Sequence, residues 1–261
     1  MRVVTHRGIG TGRRENSLAA FAEAIAQGAT VVELDLRCTL DGQLVLAHNK
    51  DMGYWGRPDV WIPSHTHADL LCITGDSESA LATFDEFCGR LPHLDTILDI
   101  KWRGGMETLR ALQDYVCRHL DLEDFVRQHS LLVWLPEQYA AALRLFPGIR
   151  MVDHRIDCAR AIARAICGLK APRTGARSIV SIPAQLFRSA ALARRIVNNL
   201  RTPGSTLMAY LPRNAAEVEA ALTLGVDMTM TDDFTLTHAL IPQQEVSSSA
   251  HVAPVHPRVC L

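Results

Sequence analysis

Short strand-like runs alternate with longer helix-like ones along nearly the whole of this 261-residue chain, and that alternation restricts the fold to an α/β class. Residues 2–5 are a β-branched run. Leu18, Phe21, Ala22, Ala24 and Ile25 then recur at helical spacing behind Asn16 and Ser17, either of which can cap the helix, with Gly28 as its stop. Residues 30–36 read as the next strand, Asp41-Gly42 as a hairpin turn and residues 43–47 as the returning strand. Further strands are expected over 96–101, 131–134, 150–152, 178–182, 206–210 and 228–231. Helices are expected over 106–120, 137–146, 159–167, 189–199 and 215–224, that at 189–199 burying Leu192, Ile196 and Val197. About eight strands in β/α order predict a (β/α)8 barrel, a single domain over residues 1–240. A doubly wound open sheet is the alternative, because periodicity does not reveal closure.

Residues 51–82 interrupt the rhythm. They are rich in Gly, Pro, Trp and His without a clear period, and read as a long βα loop over the barrel mouth. Within it His65-Thr66-His67 has no third metal ligand nearby, so these are expected to be ordinary polar loop residues. The Trp55 and Trp61 pair can stack on a sugar or simply anchor the loop. Thr83 and Glu86 form a capping box for the helix that follows. Residues 241–261, with Gln-Gln, Ser-Ser-Ser and scattered prolines, are expected to be a flexible tail.

Composition excludes some function classes. A formal net charge of −1 gives no reason to expect nucleic acid or an anionic membrane as partner, so any anion selectivity must be local. No apolar run reaches the roughly 18 residues of a transmembrane span, and the chain enters a strand at once without a basic, apolar leader, which favours a soluble cytoplasmic protein. The seven cysteines are odd in number and show no C-x-x-C spacing. They are expected to be reduced, mostly as small buried hydrophobes.

The chemistry concentrates near the start of the chain. Strand 30–36 alternates Val31, Glu33 and Asp35 on one face with Val32, Leu34 and Leu36 on the other, so both carboxylates point the same way and make half a cation site. Strand 96–101 likewise puts Asp99 and Lys101 on one face. His6 and His48 fall at the carboxyl ends of strands, where a barrel carries its catalysis. A cation-free cluster, with Arg7 and Lys101 neutralising Glu33 and Asp35, is the structural competitor. Asp232 and Asp233 can either approach the site or cap the helix after the last strand.

Taken in order, His6-Arg7-Gly8, Glu15-Asn16-Ser17, Glu33-Leu34-Asp35, Asp41-Gly42, His48, Leu98-Asp99-Ile100-Lys101 and Gly225-Val226-Asp227 to Thr231-Asp232 resemble the glycerophosphodiester phosphodiesterase family, a phospholipase-C-like TIM barrel. The resemblance covers residues 1 to 235. It implies a phosphodiesterase that uses a divalent cation, Mg2+ or Ca2+, held by Glu33, Asp35 and Asp99, with Asp99 standing where the family usually has glutamate. Arg7 and Lys101 would hold phosphate oxygens, Glu15 would orient Arg7 or a metal-bound water, and His6 and His48 would be the acid and base in either order. A substrate hydroxyl can serve as internal nucleophile and give a cyclic phosphate. The chain departs from the family where Arg13-Arg14 precede Glu15, an added positive pair that can bind a second anionic or polyhydroxylated group. It has Asn49 after His48 where aspartate is usual, and Tyr210 as the nearest aromatic where a tryptophan-centred strand is usual. The implied partner is a small phosphodiester: a glycerophosphodiester, with a sugar phosphodiester of the opine type, a synthase or a non-catalytic binding relative as alternatives.

Overall fold

The computed structural model describes residues 1–8, 13–75, 80–170 and 178–241. Apart from residue 241, the tail expected over 241–261 lies outside the described residues. In chain order the first half holds β1 (Arg2–His6), α1 (Leu18–Ala26), β2 (Val31–Cys38), β3 (Leu44–Leu46), β4 (Asp51–Met52), β5 (Arg57–Trp61), α2 (His67–Thr74), α3 (Phe84–Arg90), β6 (Asp95–Ile100), α4 (Gly105–His119), α5 (Leu122–Gln128) and β7 (His129–Val133). The second half holds α6 (Pro136–Leu145), β8 (Arg150–Val152), α7 (Arg155–Ile166), β9 (Ser178–Pro183), α8 (Ala190–Leu200), β10 (Thr206–Tyr210), α9 (Ala215–Thr223), β11 (Met228–Thr231) and α10 (Phe234–Leu240).

Closure decides between the two architectures. The main sheet runs β1-β11-β10-β9-β8-β7-β6-β2-β3, and β1 also pairs with β2. All its strands but β3 are parallel and return on themselves, so the fold is a (β/α)8 barrel. The antiparallel β3 extends β2 beyond the ring through Leu36↔Leu46, Arg37↔Val45 and Cys38↔Leu44, and so delivers His48 beside the mouth.

The pleat then sorts the interior into layers. Val4, Val31, Ile97, Val152, Ile179, Met208, Met228 and Met230 pack together as an apolar floor. Two residues further along the same inward faces come His6 on β1, Glu33 on β2, Asp99 on β6 and Tyr210 on β10. The outward face of β2, with Val32, Leu34 and Leu36, packs against helices through Phe21, Phe84, Leu109 and Leu112. Fully burying each such side chain stabilises the fold by about 1.5–3 kcal/mol.

Three expectations need correction, and one helix was missed. The expected long loop over 51–82 carries secondary structure of its own in its described part: β4 and β5 form an antiparallel ribbon around a 3-10 turn, Gly53–Trp55, and α2 follows. Met52, Val60, Ile62, Leu70 and Leu81 give it a small core shared with Val45 and Ala47. Its apolar residues come from ribbon, turn and helix, so no single period runs through them. One short helix, α5, escaped the periodicity reading, and α10 was expected only as the helix that Asp232 or Asp233 would cap. Leu192 is only half-buried, and Ala193 and Leu200 join Ile196 and Val197 in the core. Cys72, Cys117 and Cys167 are exposed and of the described cysteines only Cys158 is buried, because helical placement does not specify which helical face a residue occupies.

Candidate active site

Each charged group at the mouth is set by a local backbone feature. Arg7 stands just past β1 in the left-handed region at φ 57°, a conformation that costs energy for a side-chain-bearing residue. It is held from both ends: its N–H donates to the Glu33 carbonyl at 3.0 Å, and its carbonyl accepts from the Asn16 N–H at 2.9 Å. Gly8 follows at φ 70°, and a Cβ there would stand 2.7 Å from that of Ala20, so only glycine permits α1 to approach this closely. Ser17 is the α1 N-cap, accepting from the Ala20 N–H at 3.1 Å. That leaves Asn16 for the site: its Nδ2 donates to Asp35 Oδ2 at 2.7 Å and its Oδ1 accepts from the Asp35 N–H at 3.0 Å.

Glu33, Asp35 and Asp99 converge, with oxygens lying within 4.8 Å of one another, all buried. The register pairs Asp35 with Asp99 across β2 and β6, which is how two distant strands bring their acids together. Lys101 bridges Asp35 and Asp99, its Nζ 2.6 Å from Asp99 Oδ2, and Arg7 Nε lies 3.0 Å from Asp35 Oδ2. Burial works against ionisation of Asp35, yet Lys101, Arg7 and Asn16 together hold its pKa below the ordinary carboxylate value. Glu33 fares differently: burial, then Asp35 and Asp99, push it well above the usual range. Its Oε2 is buried without a hydrogen-bond partner among the described residues, and the nearest cationic candidate, His6 Nε2, is 3.8 Å away. Asp99 is also raised, by burial and by Asp35 against the pull of Lys101. Lys101 and Arg7 pair directly with Asp35 and Asp99, whereas no hydrogen bond among the described residues reaches Glu33 Oε2, and a hard divalent cation fits that unpaired oxygen.

The two histidines flank this layer. His6 is buried, with Nδ1 2.5 Å from Asp232 Oδ1 and Nε2 turned toward Glu33. His48 is half-buried, its Nδ1 3.1 Å from Asn49 Oδ1, and burial with help from Arg7 and Lys101 lowers its pKa below the usual histidine value. Glu15 Oε2 lies 3.4 Å from Arg7 Nη1. Tyr210 is half-buried, and burial, Glu33 and Asp99 raise its hydroxyl pKa.

The chain matches the glycerophosphoryl diester phosphodiesterase family model over residues 6–134, a span that begins at His6 and contains Arg7, Glu15, Glu33, Asp35, His48, Asp99 and Lys101. It belongs to that family. A glycerophosphodiester phosphodiesterase of Bacillus altitudinis is 22% identical over 244 residues, covering 88% of this chain and 94% of its own. The crystal structure of a glycerophosphodiester phosphodiesterase from Agrobacterium tumefaciens superimposes with a TM-score of 0.70 at 20% identity, over 92% of this chain and 98% of that one. An Oleispira antarctica phosphodiesterase in complex with the product sn-glycerol-3-phosphate superimposes with a TM-score of 0.65 at 18% identity, over 92% and 96%. At these identities the solved structures attest the shared fold.

Around this glycerophosphodiester phosphodiesterase site, sequence reasoning missed Trp134 and Arg37. Trp134 Nε1 donates to Asp99 Oδ1 at 2.7 Å. Arg37 donates to the His48 carbonyl from Nε at 3.1 Å and Nη2 at 2.6 Å. Arg37 was legible in principle, two residues after Asp35 on the same face of β2. Of the two aspartates after β11, Asp232 goes to His6 and Asp233 caps α10 by accepting from Leu236 N–H at 2.9 Å. Arg14, expected with Arg13 as an added positive pair, is engaged by the protein itself. It stacks 4.5 Å from the Trp55 ring and donates to the Ala80 carbonyl at 2.9 Å. Trp61 is likewise stacked by Lys50 at 3.9 Å. His65 and Thr66 are structural: a His65 ring nitrogen is 2.9 Å from the Trp61 carbonyl, and Thr66 caps α2. Among the described residues, Glu33, Asp35 and Asp99 form the one acid, histidine or cysteine group with metal-holding geometry.

Proposed function

We propose that this protein is a divalent-cation-dependent phosphodiesterase that cleaves a glycerophosphodiester, or a similar small phosphodiester, to an alcohol and a phosphomonoester. The observation that carries the reading is the buried Glu33, Asp35 and Asp99 group, with an unpaired Glu33 oxygen, lying between Arg7, Lys101 and two histidines at the carboxyl ends of the barrel strands.

Glu33, Asp35 and Asp99 would hold the cation, Mg2+ or Ca2+. When bound, it supplies positive charge to a phosphate oxygen as negative charge builds there. Arg7 and Lys101 bind the remaining phosphate oxygens, Arg7 through its planar fork and Lys101 as a point charge. His48, kept neutral by burial and by the neighbouring cations, accepts the proton of the attacking hydroxyl. His6, with Asp232 at Nδ1 fixing its ring, returns a proton through Nε2 to the leaving alkoxide. An attacking hydroxyl within the substrate gains the effective molarity of an intramolecular step, expels the alcohol and gives a cyclic phosphate, which water then opens to the phosphomonoester. Tyr210, at the end of β10, lines the site. The turn Gly53–Trp55 and the ribbon around it serve as a cover at one side of the mouth of a single domain spanning 1–240.

A second reading, binding without turnover, is favoured by one observation: both Asp99 oxygens are already engaged, Oδ1 by Trp134 and Oδ2 by Lys101. Phosphorus NMR on a panel of glycerophosphodiesters and sugar phosphodiesters, with Mg2+ or Ca2+ and with chelator, separates the two. Chelator-sensitive conversion of at least one diester is expected. Binding by calorimetry without conversion of any would replace the hydrolase with the binding protein.

A further inference from the structure

From Arg7 in the active-site layer to the turn Gly53–Trp55 runs a chain of polar contacts whose outer links the chemistry above does not use. Arg7 is held against Asp35 by Nε at 3.0 Å, and its Nη1 lies 3.4 Å from Glu15 Oε2. The other oxygen of Glu15, Oε1, accepts a hydrogen bond from the Tyr54 hydroxyl. Glu15 side-chain exposure is only 12%, so this carboxylate is a largely enclosed link with one oxygen on each partner. Tyr54 belongs to the 3-10 turn Gly53–Trp55, whose shape is fixed locally. The Gly53 N–H donates to Asp51 Oδ1 at 3.1 Å, a Cβ at Gly53 would stand 2.9 Å from that same oxygen, and Gly56 closes the turn at φ 76°.

A second tether runs in parallel. Arg14, the neighbour of Glu15, stacks on Trp55, the neighbour of Tyr54, and also donates to the Ala80 carbonyl. Two adjacent residues of the first βα loop therefore meet two adjacent residues of the turn, one pair by hydrogen bond and one by cation–π contact. A surface aromatic in simple packing contact would have no reason to supply a donor to the carboxylate that borders the phosphate-binding arginine.

We propose that Tyr54 is a positioning residue for phosphate binding: its hydroxyl holds Glu15, and Glu15 holds Arg7 in the orientation that meets a phosphate oxygen. The assignment rests on the phosphodiesterase reading above for its substrate, but its geometry concerns only the anion site. Glu15 and burial raise the Tyr54 pKa to about 12, so the phenol stays a proton donor throughout the working pH range. Removing the hydroxyl frees one oxygen of Glu15 to swing, and the guanidinium loses its lateral restraint. Ground-state anion affinity is what suffers, since the proton-transfer groups His6 and His48 are not touched.

The test is Tyr54→Phe, alone and in a Glu15→Gln background, with KM and kcat measured separately on the diester converted by the wild type. One hydrogen bond to a charged group at a half-exposed position is worth a KM increase of about five-fold, with kcat nearly unchanged. Because the effect passes through Glu15, Tyr54→Phe should add little further loss once Glu15 is glutamine. An unchanged KM in the single variant overturns the proposal, and so does an equal loss in both backgrounds. Calorimetric binding of inorganic phosphate is the readout that does not depend on turnover. If the wild type converts no diester, the function proposal fails by itself, and a wild type that binds phosphate about five-fold tighter than Tyr54→Phe still supports the positioning role. Equal phosphate affinities overturn it.

Discussion

Trp134 and Asp99 are joined by a 2.7 Å hydrogen bond from the indole Nε1 to Oδ1, and this bond ties a half-exposed aromatic at the end of β7 to a buried acid of β6. With Lys101 on Oδ2 at 2.6 Å, the short aspartate side chain is restrained at both oxygens. Under the proposed cation role of Asp99, the indole would set how that carboxylate presents itself to the ion, in the way an outer hydrogen bond orients a metal-binding carboxylate.

Trp134→Phe keeps the ring and removes the donor. It is expected to raise the Mg2+ or Ca2+ concentration giving half-maximal activity by about ten-fold, within the 10–100-fold typical of such outer partners. A cation titration checks this. An unchanged midpoint would show that Asp99 does not take part in holding the ion.

Glu33→Gln removes a charge that is costly to bury without a partner. In chelator the variant is expected to be more stable than the wild type by about 1–3 kcal/mol, since an unsatisfied acid is replaced by a neutral amide. Adding Mg2+ or Ca2+ should then raise the melting temperature of the wild type and leave that of the variant unmoved. Thermal melts of both proteins, with and without cation, make the comparison.

His48 must be neutral to accept a proton, and its pKa is lowered by burial, Arg7 and Lys101 against the opposing pull of Asp35. Activity should therefore hold as pH falls past the ordinary histidine value and drop only below it, giving an acid limb in kcat/KM under about pH 6.5. Arg37→Lys replaces a fork on the His48 carbonyl by a single donor. It should cost about ten-fold in kcat/KM while the protein stays folded, as read by circular dichroism and a pH–rate profile.

His129 couples stability to pH from outside the site. It is buried against Phe84 and Phe125, with Nδ1 2.5 Å from Thr96 Oγ1, and burial lowers its pKa to about 4. The folded state refuses a proton that the unfolded chain accepts below about pH 6.5, so stability falls as pH falls through that value and levels off near pH 4. The loss amounts to about 3 kcal/mol. Urea titrations of the wild type and His129→Gln between these pH values should show the slope in the first and a smaller one in the second.

Much of the site was legible because it is written in short-range periodicity. Glu33 and Asp35 share a face of β2, and Asp99 and Lys101 share the corresponding face as β6 ends, since successive residues of a strand alternate sides whatever the strand pairs with. The capping box of Thr83 and Glu86 is equally local, both partners lying within one turn. The elements within 51–82 were not legible, because ribbon, turn and helix succeed one another too quickly to share a period, and the seven-residue helix α5 is too brief to establish one.

The amino-acid order alone determined which side chains each strand turns inward and where most strands and longer helices lie, because those properties depend on neighbours a few positions apart. Tertiary structure decided the rest. Closure of β1 onto β11, the Asp35 and Asp99 register, Asp232 rather than Asp233 at His6, and Trp134 on Asp99 all join residues far apart in sequence. So does the contact of Arg14 with Trp55 and the Ala80 carbonyl. Such contacts depend on how whole elements pack, and a one-residue slip of any strand would turn its inward groups away from the site.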